Sequence, residues 1–174
     1  MSANADPILA RSIGFDDDDL RQNRAGRLSV AQAQRLQSAQ TKTGYGLIGV
    51  AGLLSLLMLP IALGVASSGD ILSGLIIGFI GLGIIGALVM ISRQDARKLA
   101  ADIASGHVET AQGLIQCYTT SSESTRYNLR MGELLFMNVP QTLYIGFKHL
   151  EPYTLYYTPN TLQIVAAEPG AQVN

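Results

Sequence analysis

Two long stretches without a single charged residue, only six residues apart, constrain this chain more than anything else in it. Gly44 to Gly64 and Ile71 to Ile91 contain no Asp, Glu, Lys or Arg, and Val65-Ala66-Ser67-Ser68-Gly69-Asp70 joins them. Each is about 21 residues, which as a helix rising about 1.5 Å per residue is roughly 31 Å long. That matches the hydrocarbon core of a bilayer. A soluble fold of this size would struggle to cover two fully apolar helices. The expectation is a transmembrane helix over 44–64, a short external loop over 65–70 and a second transmembrane helix over 71–91. Some 43 mostly polar residues come first, which argues against a signal peptide.

So short a loop makes the two helices antiparallel neighbours, with Asp70 placed to cap the second. Arg21, Arg24, Arg27, Arg35 and Lys42 precede the first span, Arg93, Arg97 and Lys98 follow the second, and the loop has no basic residue. The positive-inside rule then puts both termini in the cytoplasm of a multi-pass integral membrane protein. Pro60 predicts a local kink near the end of the first span. Gly74, Gly78 and Gly81 fall on one side of the second helix, and Ala51, Ser55 and Ala62 make a similar stripe on the first. Small residues let helix backbones approach closely in lipid, so these six are the expected helix-packing residues. Gly83, Gly86 and Ala87 point elsewhere, toward self-association or another protein.

The flanks read differently. Within the cytoplasmic segment 1–43, residues 1–14 are expected to be disordered. Asp16 should cap a short helix whose first turn holds Asp17, Asp18 and Asp19, where carboxylates face the positive end of the helix dipole. Gly26 should follow that helix. Ser29-Val30-Ala31-Gln32 fits a capping box that opens a second helix, with Leu28 as its staple. The four aspartates lack the alternating ligands and central glycine of a calcium loop, so capping accounts for them.

Beyond the second span a helical extension is expected over 92–104, stopped by Gly106, and then a β domain over 105–174. Thr125, Tyr127, Leu129 and Met131 alternate with Ser124, Arg126, Asn128 and Arg130 as in a half-buried strand. Leu143, Ile145 and Phe147 repeat the pattern, as do Tyr153, Leu155 and Tyr157, and then Leu162 and Ile164. Residues 107–119 and 133–139 are strand-like. Thr158-Pro159-Asn160-Thr161 carries Pro in the favoured second place of a turn and should close a hairpin. The fold class is α+β overall: a membrane α-helical hairpin plus a small antiparallel β domain, barrel or meander. Tyr156 faces opposite to Tyr153 and Tyr157. With Lys148 nearby, it is the expected partner surface, beside an edge strand open to β-augmentation.

The chemistry is thin. Cys117 is the sole cysteine, so neither an intramolecular disulfide nor a multi-cysteine metal site can form. His107 and His149 sit in no metal or base motif, and phosphate loops and nucleophile elbows are absent. No catalytic, cofactor-binding or metal-binding residue is nominated, and the chain is read as no enzyme. A net charge of −1 with no basic tract leaves no footprint for nucleic acid. Two functional classes remain. The first is a non-enzymatic membrane protein that presents its cytoplasmic β module for protein interaction or scaffolding. The second is a small transporter or channel subunit of oligomerised hairpins. Ion and proton paths usually need ionisable residues within the membrane, and neither span has one. The expected partners are the lipid bilayer and a protein or a second copy, with no cofactor.

Overall fold

A computed structural model of the protein describes residues 6–39, 64, 71–121 and 124–170. It is an α+β structure with a five-stranded antiparallel sheet in its C-terminal half. The elements in order are α1 (Pro7–Ile13), α2 (Asp17–Arg24), α3 (residues 30–39), α4 (Ile71–Ser105), β1 (Glu109–Ser121), β2 (Thr125–Met131), β3 (Leu134–Val139), α5 (Gln141–Gly146), β4 (Pro152–Tyr157) and β5 (Ile164–Pro169). Two compact units emerge: one takes the chain up to Gln34 and from Ala101 onward, the other takes Arg35–Ala100.

In the first unit the strands run β3-β2-β1-β4-β5, all antiparallel. β1 is long and shared. Its first half, Glu109–Leu114, pairs with β4, and its second half, Ile115–Ser121, pairs with β2. The register sets Ile115 opposite Met131, Cys117 opposite Leu129 and Gly113 opposite Tyr153, so the apolar alternation read from the sequence falls on one face. The sheet folds over this face: Phe136 of β3 meets Tyr157 of β4 edge-on at 5.6 Å between ring centroids, and Phe147 meets Tyr153 at 5.0 Å. Such aromatic pairs add about 0.5–1.5 kcal/mol beyond area burial. At Gly113 an added Cβ would lie 3.3 Å from Met131 Cγ, so the strand is close-packed there.

Three expectations are corrected. Residues 7–13 are not disordered. They form α1, capped by Asp6, whose side chain accepts from Ile8 N–H at 2.9 Å, opened by Pro7 and closed by Gly14 at φ 82°. Leu9 is fully buried, and α1 packs on β5 and α5. The run is too short to show a helical period in the sequence, but a buried leucine between a good cap and a left-handed glycine holds it. The strand expected over 142–147 is not formed: Gln141–Gly146 are α5 and Phe147 is its C-cap. Leu143 and Phe147, four apart, are buried while Ile145 is 68% exposed, and a six-residue run cannot by itself distinguish the two periods. Leu162 is not an inward strand residue. It sits in the hairpin turn at φ 51°, and β5 begins at Ile164.

The two short helices read from Asp16 and from Ser29 are both present among the described residues. Asp16 and Asp19 make a reciprocal capping box on α2, and Ser29 and Gln32 make another on α3, with Gln32 N–H donating to Ser29 Oγ at 3.0 Å and Ser29 N–H to Gln32 Oε1 at 3.1 Å. The hairpin around Pro159 joins β4 to β5 as expected.

α4 is helical throughout Ile71–Ser105, with its residues up to Ala100 in the second unit and the rest in the first, and Gly106 stops it at φ 59°. Among the described residues one segment, Phe79–Ser105 within α4, is long and apolar enough to cross a membrane, and none of its apolar window is buried. The span expected at 44–64 and the loop 65–70 fall outside the described residues apart from Gly64, and with them Ala51, Ser55, Pro60, Ala62 and Asp70.

Candidate functional site

The sequence-nominated surface is rearranged by the N-terminal helices. Tyr156 is only 4% exposed. It does face opposite to Tyr153 and Tyr157, but that second face of β4 and β5 is covered, with α1 and α2 packed against β5. Its hydroxyl donates to Glu168 Oε1 at 2.6 Å, and Arg24 of α2 binds the same carboxylate, one contact being Nε–H to Oε1 at 3.3 Å. Tyr156 is therefore a structural residue and not a partner contact. Lys148 is exposed and pairs with Glu151 at 3.5 Å, a surface ion pair worth about 0–1 kcal/mol. Gly74, Gly78 and Gly81 lie on α4, while the residues of the first span that would meet their face are not among those described.

The polar groups that converge do so to lock the unit together. Burial pushes the Tyr156 hydroxyl up to about 12, helped by its bond to Glu168. Burial raises the Glu168 carboxyl too, but Arg24 and Tyr156 outweigh it and hold the group below its usual value. The bond to Glu168 raises the Arg24 guanidinium against the effect of burial. Next to this cluster Asn23 and Gln32 exchange amide bonds at 2.9 and 2.8 Å, and Gln32 Nε2 donates onward to the Val165 carbonyl at 3.0 Å. Gln32 thus caps its own helix, clamps α2 to α3 and reaches a backbone carbonyl of edge strand β5.

Asp102, in the last turn of α4, was no more than one charge in the helical extension when read from sequence. It is fully buried and accepts four hydrogen bonds from the β4–β5 turn. Asn160 gives its N–H at 3.0 Å and its Nδ2 at 2.7 Å, and Thr161 gives its N–H at 2.9 Å and its Oγ1 at 2.7 Å. Burial alone would raise the carboxyl; the four donors outweigh it and keep the carboxyl below its ordinary range. The signal that could have found this arrangement is the turn itself, whose Asn-Thr pair offers four donors with no acidic residue within the turn.

Cys117 and His149, far apart in sequence, come together, but not as a nucleophile and base. His149 Nδ1 accepts from the Cys117 backbone N–H at 3.0 Å, while the thiol points to the Phe147 carbonyl at 3.9 Å. Burial pushes the thiol up, which lowers its thiolate fraction and so its reactivity. Among the described residues no group of three or more His, Cys, Asp or Glu could hold a metal ion. The chain matches no protein-family model, no curated protein and no solved structure.

Proposed function

We propose that this is a non-enzymatic, membrane-anchored interaction module. A two-span hairpin, 44–64 and 71–91, would hold an α+β unit at the cytoplasmic face for a protein partner. One observation carries the reading. Residues from both ends of the chain build a single folded unit, tied by Arg24 to Glu168 and Gln32 to Val165. Parts of one unit lie on one side of a membrane. The segment between them must therefore cross an even number of times. If α4 crosses, the charge-free stretch 44–64 is the return path. The unburied apolar side chains of α4, among them Leu72, Ile76, Phe79, Ile80 and Ile84, support a lipid-facing helix, because a soluble core helix would be covered.

The converging polar groups are all engaged in holding the unit together, which favours a binding or scaffolding role over catalysis. Partner contacts then fall to the exposed apolar side chains of the unit, such as Met137 of edge strand β3 and Ile145 of α5. Reporter fusions at residue 1 and residue 174 should both read cytoplasmic, and a tag after Ser68 should be reachable from outside. Opposite readings at the two ends would defeat the hairpin.

A further inference from the structure

Across the expected end of the second span, α4 carries a notch of about 260 Å³ lined by Gly86, Val89, Met90, Arg93, Gln94 and Arg97. At about 100° per residue, Gly86, Val89, Met90, Arg93 and Arg97 share an arc of roughly 100°. Asp95 and Asp102 fall roughly opposite, so no acidic residue of this helix faces the arginines. Arg97 lies roughly 6 Å further along the axis than Arg93, at about 1.5 Å per residue. Among the described residues neither arginine has an ion-pair partner. An added Cβ at Gly86 would meet nothing within 4 Å, so the glycine leaves open space at the apolar end.

We infer that this notch binds one anionic phospholipid, with Arg93 and Arg97 on its phosphate and the Gly86–Val89–Met90 stripe along its first methylenes. The inference rests on the reading that α4 spans the membrane. Apolar stripe and cations occur in the order a lipid presents, acyl chain and then headgroup, and basic pockets at the cytoplasmic end of membrane helices suit anionic headgroups. Guanidinium forks bind phosphate oxygens in pairs. An anionic headgroup offsets one of the two positive charges, whereas a zwitterionic headgroup brings its own ammonium and leaves both unmatched. The volume falls just below the usual range of roughly 300–1,000 Å³ for small-molecule pockets, enough for a phosphate and a few methylenes and too little for a large ligand.

The test is native mass spectrometry of the full-length protein from detergent holding equal phosphatidylglycerol and phosphatidylcholine. Retention of phosphatidylglycerol over phosphatidylcholine is expected, with the preference falling roughly tenfold or more in the Arg93→Gln/Arg97→Gln double variant. Gly86→Leu, which keeps both charges and fills the notch, should weaken retention as well. Lys98→Gln, which removes one charge from a different side of the helix, should leave it unchanged. Equal retention of the two lipids, or a preference that survives the double variant, overturns the site. Complete displacement by inorganic phosphate at matched concentration overturns the lipid as the ligand, since the headgroup chemistry alone would then suffice. Carbonate extraction of the source membranes separates the two levels. A protein released as soluble fails the anchor and the site together. A protein that stays in the membrane without lipid preference fails the site alone.

Discussion

A buried carboxylate that satisfies four donors is costly to remove, because each hydrogen bond to a charged group contributes about 1.5–3 kcal/mol. Asp102→Ala is expected to lower stability by about 3 kcal/mol or more in thermal unfolding of the detergent-solubilised protein. The loss should depend on pH. The folded carboxyl lies below its ordinary value of 3.8, so its contribution is complete above that value and fades as pH falls through the lower, folded one. The gap between parent and variant should therefore narrow as pH falls below about 4; a gap that stays constant from pH 7 down to acid unfolding would contradict the clamp. At the alkaline end the sign reverses. Tyr156 and Tyr157, the latter donating to Glu109 Oε2 at 2.8 Å, are both pushed up to about 12 by burial and by their carboxylate partners. The native state keeps protons that the unfolded chain releases near pH 10, so stability is full below pH 10 and is lost between pH 10 and pH 12. Each tyrosine contributes on the order of 2–3 kcal/mol to that loss. Of the seven tyrosines, at least these two should resist ionisation in an ultraviolet titration until about pH 12 or unfolding. Ordinary midpoints near pH 10 for all seven in the folded protein would sink the assignment.

Short helices decide what the sheet presents. α1 has only seven residues, far too few to persist alone in water, so it is held by Leu9. An added Cβ at Gly146 would lie 2.9 Å from Leu9 Cδ2, which measures how closely α1 and α5 pack. Leu9→Ala should cost about 2–5 kcal/mol, as for other buried leucines, and should free α1 for cleavage in limited proteolysis. An unchanged digestion pattern and melting temperature would mean the helix is dispensable. This level also shows where the sequence was readable. The cap at Asp16 and the capping box at Ser29 are legible because caps depend on residues three apart. β2 and β4 were legible because alternation over six or seven residues sets register. Residues 142–147 failed because Leu143, Ile145 and Phe147 satisfy a period of two while Leu143 and Phe147 alone satisfy a helix. Tyr156 failed for another reason: alternation assigns faces but does not say that a helix more than a hundred residues earlier will cover the second one. Asp102 and its turn are joined across 58 and 59 residues, a separation that no local pattern records.

At the scale of the molecule, the small β domain expected over 105–174 is not a unit in itself. Cut out, it loses Asp102 beneath its hairpin, Arg24 beside Glu168, and the helices over β5. That fragment should unfold without a cooperative transition, whereas residues 6–34 joined to 101–170 by a flexible Gly/Ser linker should melt cooperatively. Equal cooperativity in the two would show that the N-terminal helices merely decorate the sheet. The shared unit also sets a timetable for biosynthesis. Gln32 leaves the ribosome 133 residues ahead of Val165, a wait of roughly 7–27 s at about 5–20 residues per second. For that interval Leu9 and the Asn23–Gln32 pair have no sheet to rest on, while the apolar segments are translated. A chain truncated between Ile91 and Val165 carries both charge-free stretches and an unfinished sheet, so the last strand to be made is the one that completes the first helices.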